Sequence, residues 1–534
     1  MERPLTYLKQ RVNDDWLIGY DSRQFTQMAE QLYLELTQLS SFGAPPKIIL
    51  AERDPMRFLA GFIAACAAGC PVFLCNPNWV KEEWQQVFEL VQPDLILGHG
   101  NWEQLSVISY QLSVAHCSLF TVHCSLSPHL TPLRSTGRSL CSTGGTPAPQ
   151  VTSGTPAREW LPIPQWIMIP TGGSSGRIRF AIHTWETLMA SVRGFQQYFV
   201  GAVPACLPVN SFCVLPLYHV SGLMQFLRSF TTGGQLVILP FKTLEAGAKC
   251  DIDEGIARSS GSLWENVDPS EFFISLVPTQ LQRLLQNTDG RWLSQFQTVL
   301  LGGAPAWGEL LEQARRHSIR LAPTYGMTET ASQIATLKPD DFLSGKLSCG
   351  QVLPHANVTI RSPTGQVLGA NKIGIITIQA DSLALGYYPE LFTNRDNFQL
   401  DDLGFFDEQD NINIIGRSSN KIITGGENVF PCEVEAAIRA TKLVNDVGVI
   451  GVPHHHWGQV ITAIYVPSNS SVTTALLQAA LEEKLSKFKR PKYWIAIQSL
   501  PRNSQGKLSR NELQQIAMAS LQISPTDKSP TTPT

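Results

Sequence analysis

Short runs of apolar, often β-branched residues alternate with stretches of helical periodicity, and this alternation allows only a few architectures. The runs are Lys47–Leu50, Val72–Leu74, Leu95–Leu97, Trp166–Ile169, Phe212–Leu215, Leu236–Leu239 and Val299–Leu301. Strands that are apolar on both faces need cover on both faces, and the helical stretches between them supply it. The expected fold class is therefore α/β, with mostly parallel sheets and crossover helices. A chain of 534 residues exceeds what one hydrophobic core serves, so more than one domain is expected.

One segment imitates a membrane span. Phe58 to Cys75 carries no charge, long enough to raise the question. Gly69 and Pro71 interrupt it, so it divides into a buried helix, Leu59–Ala68, and a buried strand, Val72–Leu74. No other segment competes as a span. Charged residues make up 16% and the net charge is −3, which offers no electrostatic basis for holding nucleic acid or an anionic membrane. The eleven cysteines are scattered and odd in number, and no signal peptide is visible, so a reducing, cytoplasmic setting is expected. Cys66, Cys70 and Cys75 lie close together, but Cys66 and Cys70 are one helical turn apart in an apolar run and read as packing.

No internal repeat is visible. Residues 125–158 are crowded with Ser, Thr, Pro and Gly and read as an exposed, flexible connection, and the tail 524–534 as a frayed end. Residues 246–266 read as a loop insertion. Composition shifts near Gly416, which predicts a domain over 1–416 and a smaller α+β domain over 417–534. In the smaller domain, runs at Val447–Gly451 and Ile461–Val466 read as strands and Thr473–Phe488 as a helix.

The most informative stretch is Pro170-Thr171-Gly172-Gly173-Ser174-Ser175-Gly176-Arg177-Ile178-Arg179, directly after an apolar run. Three glycines let the backbone approach a polyphosphate with its amide hydrogens inward. Hydroxyls of Thr171, Ser174 and Ser175 add donors, and Arg177 and Arg179 add positive charge. The Gly-Lys pair of a P-loop is missing. A similar stretch, Val151–Thr155, has no strand before it and reads as linker.

This loop resembles that of the superfamily of acyl-CoA synthetases, firefly luciferases and peptide-synthetase adenylation domains, where it usually reads Thr-Ser-Gly-Thr-Thr-Gly-x-Pro-Lys-Gly. Gly172, Ile178 and Arg179 depart from that pattern. Five further stretches fall in the superfamily's order: Leu215–Gly222; Gly302-Gly303-Ala304-Pro305; Tyr325-Gly326-Met327-Thr328-Glu329-Thr330; Asp402-Leu403-Gly404 with Gly416-Arg417; and Pro501 to Gly506-Lys507. Within the superfamily, Ile178-Arg179-Phe180, His219 to Leu223 and Thr424 to Val429 resemble the o-succinylbenzoate–CoA ligase subgroup of menaquinone and phylloquinone synthesis.

The resemblance implies an ATP-dependent enzyme that adenylates a carboxylic acid and passes the acyl group to coenzyme A. It assigns roles residue by residue. Thr171, Gly172, Gly173, Ser174, Ser175, Gly176 and Arg179 would hold the β- and γ-phosphates. Gly302, Gly303, Ala304 and Pro305 would stack on adenine, which Tyr325, Gly326 and Met327 also border. Thr328 would bond the α-phosphate, and Glu329 would hold Mg²⁺, a hard ion that takes phosphate oxygens plus one or two carboxylates. Asp402 and Arg417 would grip the ribose. Lys507 would offset charge where carboxylate and α-phosphate meet. His219, Ser221, Gly222 and Thr279 would line the acid pocket, with Pro278 beside them and Arg228 a candidate partner for a second carboxylate. Ser419 would be the pivot of a domain rotation that brings Gly425 and Gly426 to the thioester site.

Outside that scheme, His454-His455-His456 cannot readily aim three rings at one ion and reads as a structural turn. The expected partners are small molecules (an acid, ATP and coenzyme A), with a homodimer among the assemblies open to the chain. Two further readings stay open: an adenylation enzyme that loads a separate carrier protein, and a silent nucleotide-binding protein motivated by the altered loop.

Overall fold

Asp54 starts the helix Pro55–Ala68 by accepting from the backbone N–H of Arg57, with Pro55 in the first turn, and Gly69 ends it in a left-handed conformation. The charge-free stretch is thereby divided, and the chain re-enters as the buried strand Val72–Leu74. This helix is apolar all round because it is covered all round; Phe58 to Cys66 is buried along its length. Cys66, Cys70 and Cys75 are free thiols in these cores, and desolvation pushes their ionisation up. Among the described residues no helix is long and apolar enough to cross a membrane.

The chain is an α/β protein with a large N-terminal domain and a small C-terminal one. The computed structural model describes residues 3–41, 43–98, 165–172, 177–201, 207–250, 267–287, 290–454, 456–502 and 507–521. The expected connection over 125–158, the linker 151–155, the tail 524–534 and the loop residues Gly173, Ser174, Ser175 and Gly176 lie outside them.

Two large sheets carry the N-terminal domain. One has seven strands in the order Glu390–Leu391, Gly386–Tyr387, Ile178–His183, Ile167–Gly172, Val72–Leu74, Ile48–Ala51 and Leu95–Gly98. Its apolar half is parallel and the rest antiparallel. The other has eight strands: Leu17–Ile18, Leu236–Ile238, Asn210–Cys213, Phe272–Leu276, Thr298–Leu301, Leu321–Met327, Ser332–Thr336 and Gln351–Val352. Six are parallel, Ser332–Thr336 turns back, and Gln351–Val352 reverses once more against it. Trp16, Phe25, Phe62, Phe226 and Phe230 form one aromatic cluster between elements. Truncating one such ring to Ala costs about 3–5 kcal/mol.

A third sheet was not among the expected elements. Ala356–Arg361, Gly374–Ala380, Phe398–Phe406 and Ile412–Arg417 form a four-stranded antiparallel sheet. Its last two strands place Asp402 directly opposite Arg417.

The C-terminal sheet is built on the long hairpin Val444–His454 and Gly458–Pro467, flanked by Ile422–Thr424, Glu427–Val429 and Tyr493–Ala496. The helices Pro431–Arg439 and Arg510–Leu521 pack on it. Two expectations need correction. The helix expected over 473–488 ends at Ala480 and tightens into turns. There the Arg490 guanidinium takes the carbonyls of Glu482 and Leu485, which a continuing helix would use, while Leu477, Leu481 and Leu485 still face the core. The loop insertion expected over 246–266 is corrected at its start, where the helix Phe241–Cys250, anchored by buried Leu244, covers residues 246–250; residues 251–266 lie outside the described residues.

Candidate active site

The acidic turn Thr328–Thr330 sits where the strand Leu321–Met327 reverses into Ser332–Thr336. The reversal is tight: Ala331 and Ser332 both have positive φ, and a Cβ on Gly326 would lie 2.1 Å from the Ser332 carbonyl oxygen. Four consecutive carbonyls of this turn are held from outside it. Thr328 O faces His183 Nε2 at 2.8 Å, Glu329 O accepts from Ala384 N at 2.8 Å, Thr330 O from Ser382 Oγ at 2.9 Å and Ala331 O from Ser191 Oγ at 2.7 Å. A carbonyl only accepts, so His183 Nε2 carries the proton. Burial holds the His183 pKa down at about 4, which keeps the ring neutral.

Glu329 projects from this turn as a buried carboxylate. Its Oε1 accepts from Tyr387 Oη at 2.5 Å and lies 3.5 Å from Thr171 Oγ1. Arg179, opposite Thr171 in the hairpin of Ile167–Gly172 and Ile178–His183, stacks its guanidinium 4.3 Å from the Tyr387 ring centre. The glycine-rich segment joins these two strands, so its described ends stand beside the acidic turn.

A second polar group forms beside the first. Asp402 is buried and accepts from Tyr325 Oη at 2.7 Å and Arg417 Nε at 3.2 Å. Burial and then the Asp402 charge push the Tyr325 phenol well up, so it remains a donor.

Lys507 arrives from the C-terminal domain. Burial and the Arg417 charge lower its pKa from 10.5, opposed by Glu329 and Asp402. The residue keeps an exposed portion, yet it lines a cavity with Leu215, His219, Arg228, Ser275 and Gln333. Gly302, Gly303, Gly326, Met327 and Thr328 complete the wall. His219 stands at the N-terminus of the helix Val220–Thr232 and is buried; burial first, then Lys507, lowers its pKa to about 3. Gly222 lets that helix seat on the preceding turn, because a Cβ there would meet the Pro216 oxygen at 2.2 Å.

Arg228 is buried in the same wall, and burial brings its pKa down to about 9. Its Nη2 finds only long contacts, 3.4 Å to Ser332 Oγ and 3.3 Å to Gln333 Oε1. Among the described residues its Nε has no hydrogen-bond partner. The guanidinium also stacks 4.0 Å from the Phe195 ring centre, and its sparse hydrogen bonding leaves it able to take an anion.

The structure therefore brings together Thr171, Arg179, His219, Ser221, Gly302, Gly303, Tyr325, Gly326, Met327, Thr328, Glu329, Asp402, Arg417 and Lys507. It does not bring all of the expected residues there. Thr279 is off the cavity wall: Pro278 opens a helix and carries Thr279 into its first turn, and Ser275, Leu276 and Val277 form the wall instead. Ser419 is clasped by Asp401 through its N–H, at 3.1 Å to Oδ1, and through its hydroxyl. Ser419, Gly425 and Gly426 line a different groove, with Lys421, Trp457 and Gln459. His454 and His456 belong to the hairpin end, where His456 N–H donates to His454 Nδ1; His455 is outside the described residues. Tyr387, His183, Ser191 and Ser382 carry no local motif, and sequence reasoning missed them.

A resident Mg²⁺ fits the donors present. Among the described residues no group of three or more His, Cys, Asp or Glu side chains could cage a metal. One buried carboxylate with hydroxyls beside it matches an ion whose other ligands are phosphate and water oxygens.

These features define a class: a nucleotide-handling site on two α/β sheets, closed by a lysine from a separate small domain. The chain belongs to the AMP-binding enzyme family, matching it over residues 23–388, and matches the AMP-binding enzyme C-terminal domain over 433–507. It is 34% identical over 305 residues to the 2-succinylbenzoate–CoA ligase of Oceanobacillus iheyensis, covering 56% of this chain and 60% of that protein. To the Enterococcus faecalis protein of the same name it is 31% identical over 346 residues, covering 64% and 67%. The similarity thus spans about two thirds or less of these two relatives. Among solved structures, o-succinylbenzoate CoA synthetase from Bacillus subtilis in complex with the acyl-adenylate intermediate superposes with a TM-score of 0.71 at 22% identity, covering 95% of this chain and 97% of that one. ATP-bound MatB from Rhodopseudomonas palustris gives 0.73 at 20%, covering 96% and 98%. At these identities the likeness shows the fold.

Proposed function

We propose that this chain is an acid–thiol ligase that adenylates a carboxylic acid with ATP and then forms its coenzyme A thioester, with o-succinylbenzoate as the acid. The observation that carries the proposal is the position of Lys507, a cation on the wall shared by His219 and Arg228 and within the fields of Glu329 and Asp402.

In the first half-reaction a carboxylate oxygen attacks the α-phosphorus of ATP. The bond to the bridging oxygen breaks and pyrophosphate leaves. Lys507 offsets negative charge at the meeting point, and Thr328 donates to the α-phosphate. Glu329 would hold Mg²⁺, which when bound neutralises phosphate charge. Asp402, oriented by Tyr325 and Arg417, accepts from the ribose hydroxyls. The glycine-rich segment and Arg179 hold the outer phosphates. In the second half-reaction the coenzyme A sulfur attacks the acyl carbon, AMP leaves and the thiol proton is released.

The acid's chemistry follows from the wall. Arg228 pairs the second carboxylate of a dicarboxylic acid, and neutral His219 with Leu215 and Val277 gives an apolar, aryl-sized flank. We place the domain boundary at 416/417 with the pivot at Ser419, and Gly425 and Gly426 near the thiol after rotation. The free, buried cysteines favour a reducing, cytoplasmic setting.

The test is direct. Purified protein with o-succinylbenzoate, ATP and Mg²⁺ should release pyrophosphate, and adding coenzyme A should yield AMP and the thioester. No pyrophosphate from any acid in a panel refutes the class. Thioester from a different acid only refutes the substrate.

A further inference from the structure

Tyr387 touches two parts of the site at once. It lies in the short strand Gly386–Tyr387, which pairs antiparallel with Ile178–His183 so that Tyr387 is opposite Ala181. Arg179, two residues before Ala181, is on the same face and reaches the Tyr387 ring at 4.3 Å. The hydroxyl at the far end of the ring donates to Glu329 Oε1 at 2.5 Å. One side chain therefore joins the arginine after the phosphate loop to the carboxylate of the acidic turn. Its ring is half-buried, held edge-on by Phe392 at 5.3 Å, so the hydroxyl has little freedom to leave.

A carboxylate whose Oε1 accepts a short hydrogen bond from Tyr387, with Thr171 Oγ1 a second and longer donor at 3.5 Å to the same oxygen, is left with Oε2 and a defined plane to present to an ion. Groups that bond a metal ligand from behind fix its orientation and often matter about as much as the ligand. We propose that Tyr387 is a positioning residue that sets the Glu329 carboxylate for the divalent cation while its ring steadies Arg179 over the triphosphate. The inference rests on the reading of Glu329 as the metal ligand. It separates the two ends of the side chain: the hydroxyl serves the cation and the ring serves the phosphates.

Mn²⁺ binding to the protein–ATP complex, read by electron paramagnetic resonance, and ATP binding without metal, read by calorimetry, distinguish these roles. Tyr387→Phe keeps the ring; Mn²⁺ affinity should fall about tenfold while metal-free ATP binding stays as in the wild type. Tyr387→Leu loses both ends, and metal-free ATP binding should weaken as well. Thermal melts of both variants monitor folding, and Tyr387→Phe removes a single oxygen. Unchanged Mn²⁺ affinity in Tyr387→Phe overturns the proposal, and so does an equal loss of Mn²⁺ and metal-free ATP binding, the mark of a merely structural role. If the wild-type protein binds no Mn²⁺ with ATP, the reading of Glu329 itself fails, and the wild-type control tells the two failures apart.

Discussion

Lys507 is a cation held at a cost. Desolvation and Arg417 favour its neutral form while Glu329 and Asp402 favour the charged one, and the balance lowers its pKa from 10.5. A lysine with a lowered pKa loses its proton sooner as pH rises, so adenylation should decline on the alkaline side below pH 10.5. Lys507→Arg should be slow but lack that decline, because guanidinium stays protonated. Lys507→Ala should slow pyrophosphate release about 10²–10³-fold, the usual cost of one well-placed electrostatic donor, while calorimetry finds ATP still bound. Unchanged pyrophosphate release in the alanine variant would remove the mechanism. His219 predicts a contrasting result. With a pKa near 3 it stays neutral through the working range, so His219→Phe should leave the acid side of the pH–rate profile in place and change the acid's KM. An acid limb near pH 6.5 that disappears in the variant would contradict this.

At the scale of elements, the helix Pro431–Arg439 joins the lysine loop to the N-terminal domain. Its Arg439 guanidinium lies 4.9 Å from the Trp307 ring centre, just beyond the loop Gly302–Pro305. The same side chain contacts Asp446 at 3.4 Å, and Asp446 takes Arg502 at 2.6 Å at the base of the lysine loop. Nearby, Lys442 reaches Glu309 at 3.4 Å, an exposed pair worth at most about 1 kcal/mol. Arg439→Ala should therefore slow adenylation and spare acyl transfer from a supplied acyl-adenylate to coenzyme A. Assaying the two half-reactions separately checks it, and equal losses in both would point to general destabilisation.

Legibility from sequence also differs by element. Ile48–Ala51 and Val72–Leu74 were readable because both faces are buried and the apolar run is unbroken. The antiparallel sheet over 356–417 was not: its strands mix glycine, polar and half-exposed positions, and their partner is another strand rather than a helix. The site divides in the same way. Glu329, Asp402 and Lys507 sit in contiguous stretches with their own signatures. Ser382 and Tyr387 act on the acidic turn from 52 and 58 residues away along the chain, and no spacing encodes the register that brings Tyr387 opposite Ala181. Thr279 was expected in the acid pocket from the resemblance, and the structure places it in the first turn of the helix Pro278–Asn287, with Ser275, Leu276 and Val277 on the cavity wall.

For the whole molecule, the cores are separate. The clusters around Val447, Ile461 and Leu477, and around Ile450, Ile464 and Leu513, belong to the C-terminal domain and are distinct from those of the two large sheets. Chains with independent cores depart from two-state unfolding. Calorimetry should resolve at least two transitions, and ATP with Mg²⁺ should raise the larger one, by mass action on the folded state. A single transition, unmoved by nucleotide, would contradict both the independence of the cores and the placement of the nucleotide.

The four tethered carbonyls of residues 328–331 imply a division of labour in time. That turn is held by four hydrogen bonds from three segments of chain, at His183, Ser191 and Ser382–Ala384, and should retain its shape through every turnover. The ammonium opposite it comes on a separately built arm attached by a few polar ties. Successive steps can then be sequenced by moving the arm alone, with the anvil against which it closes never needing to be reset.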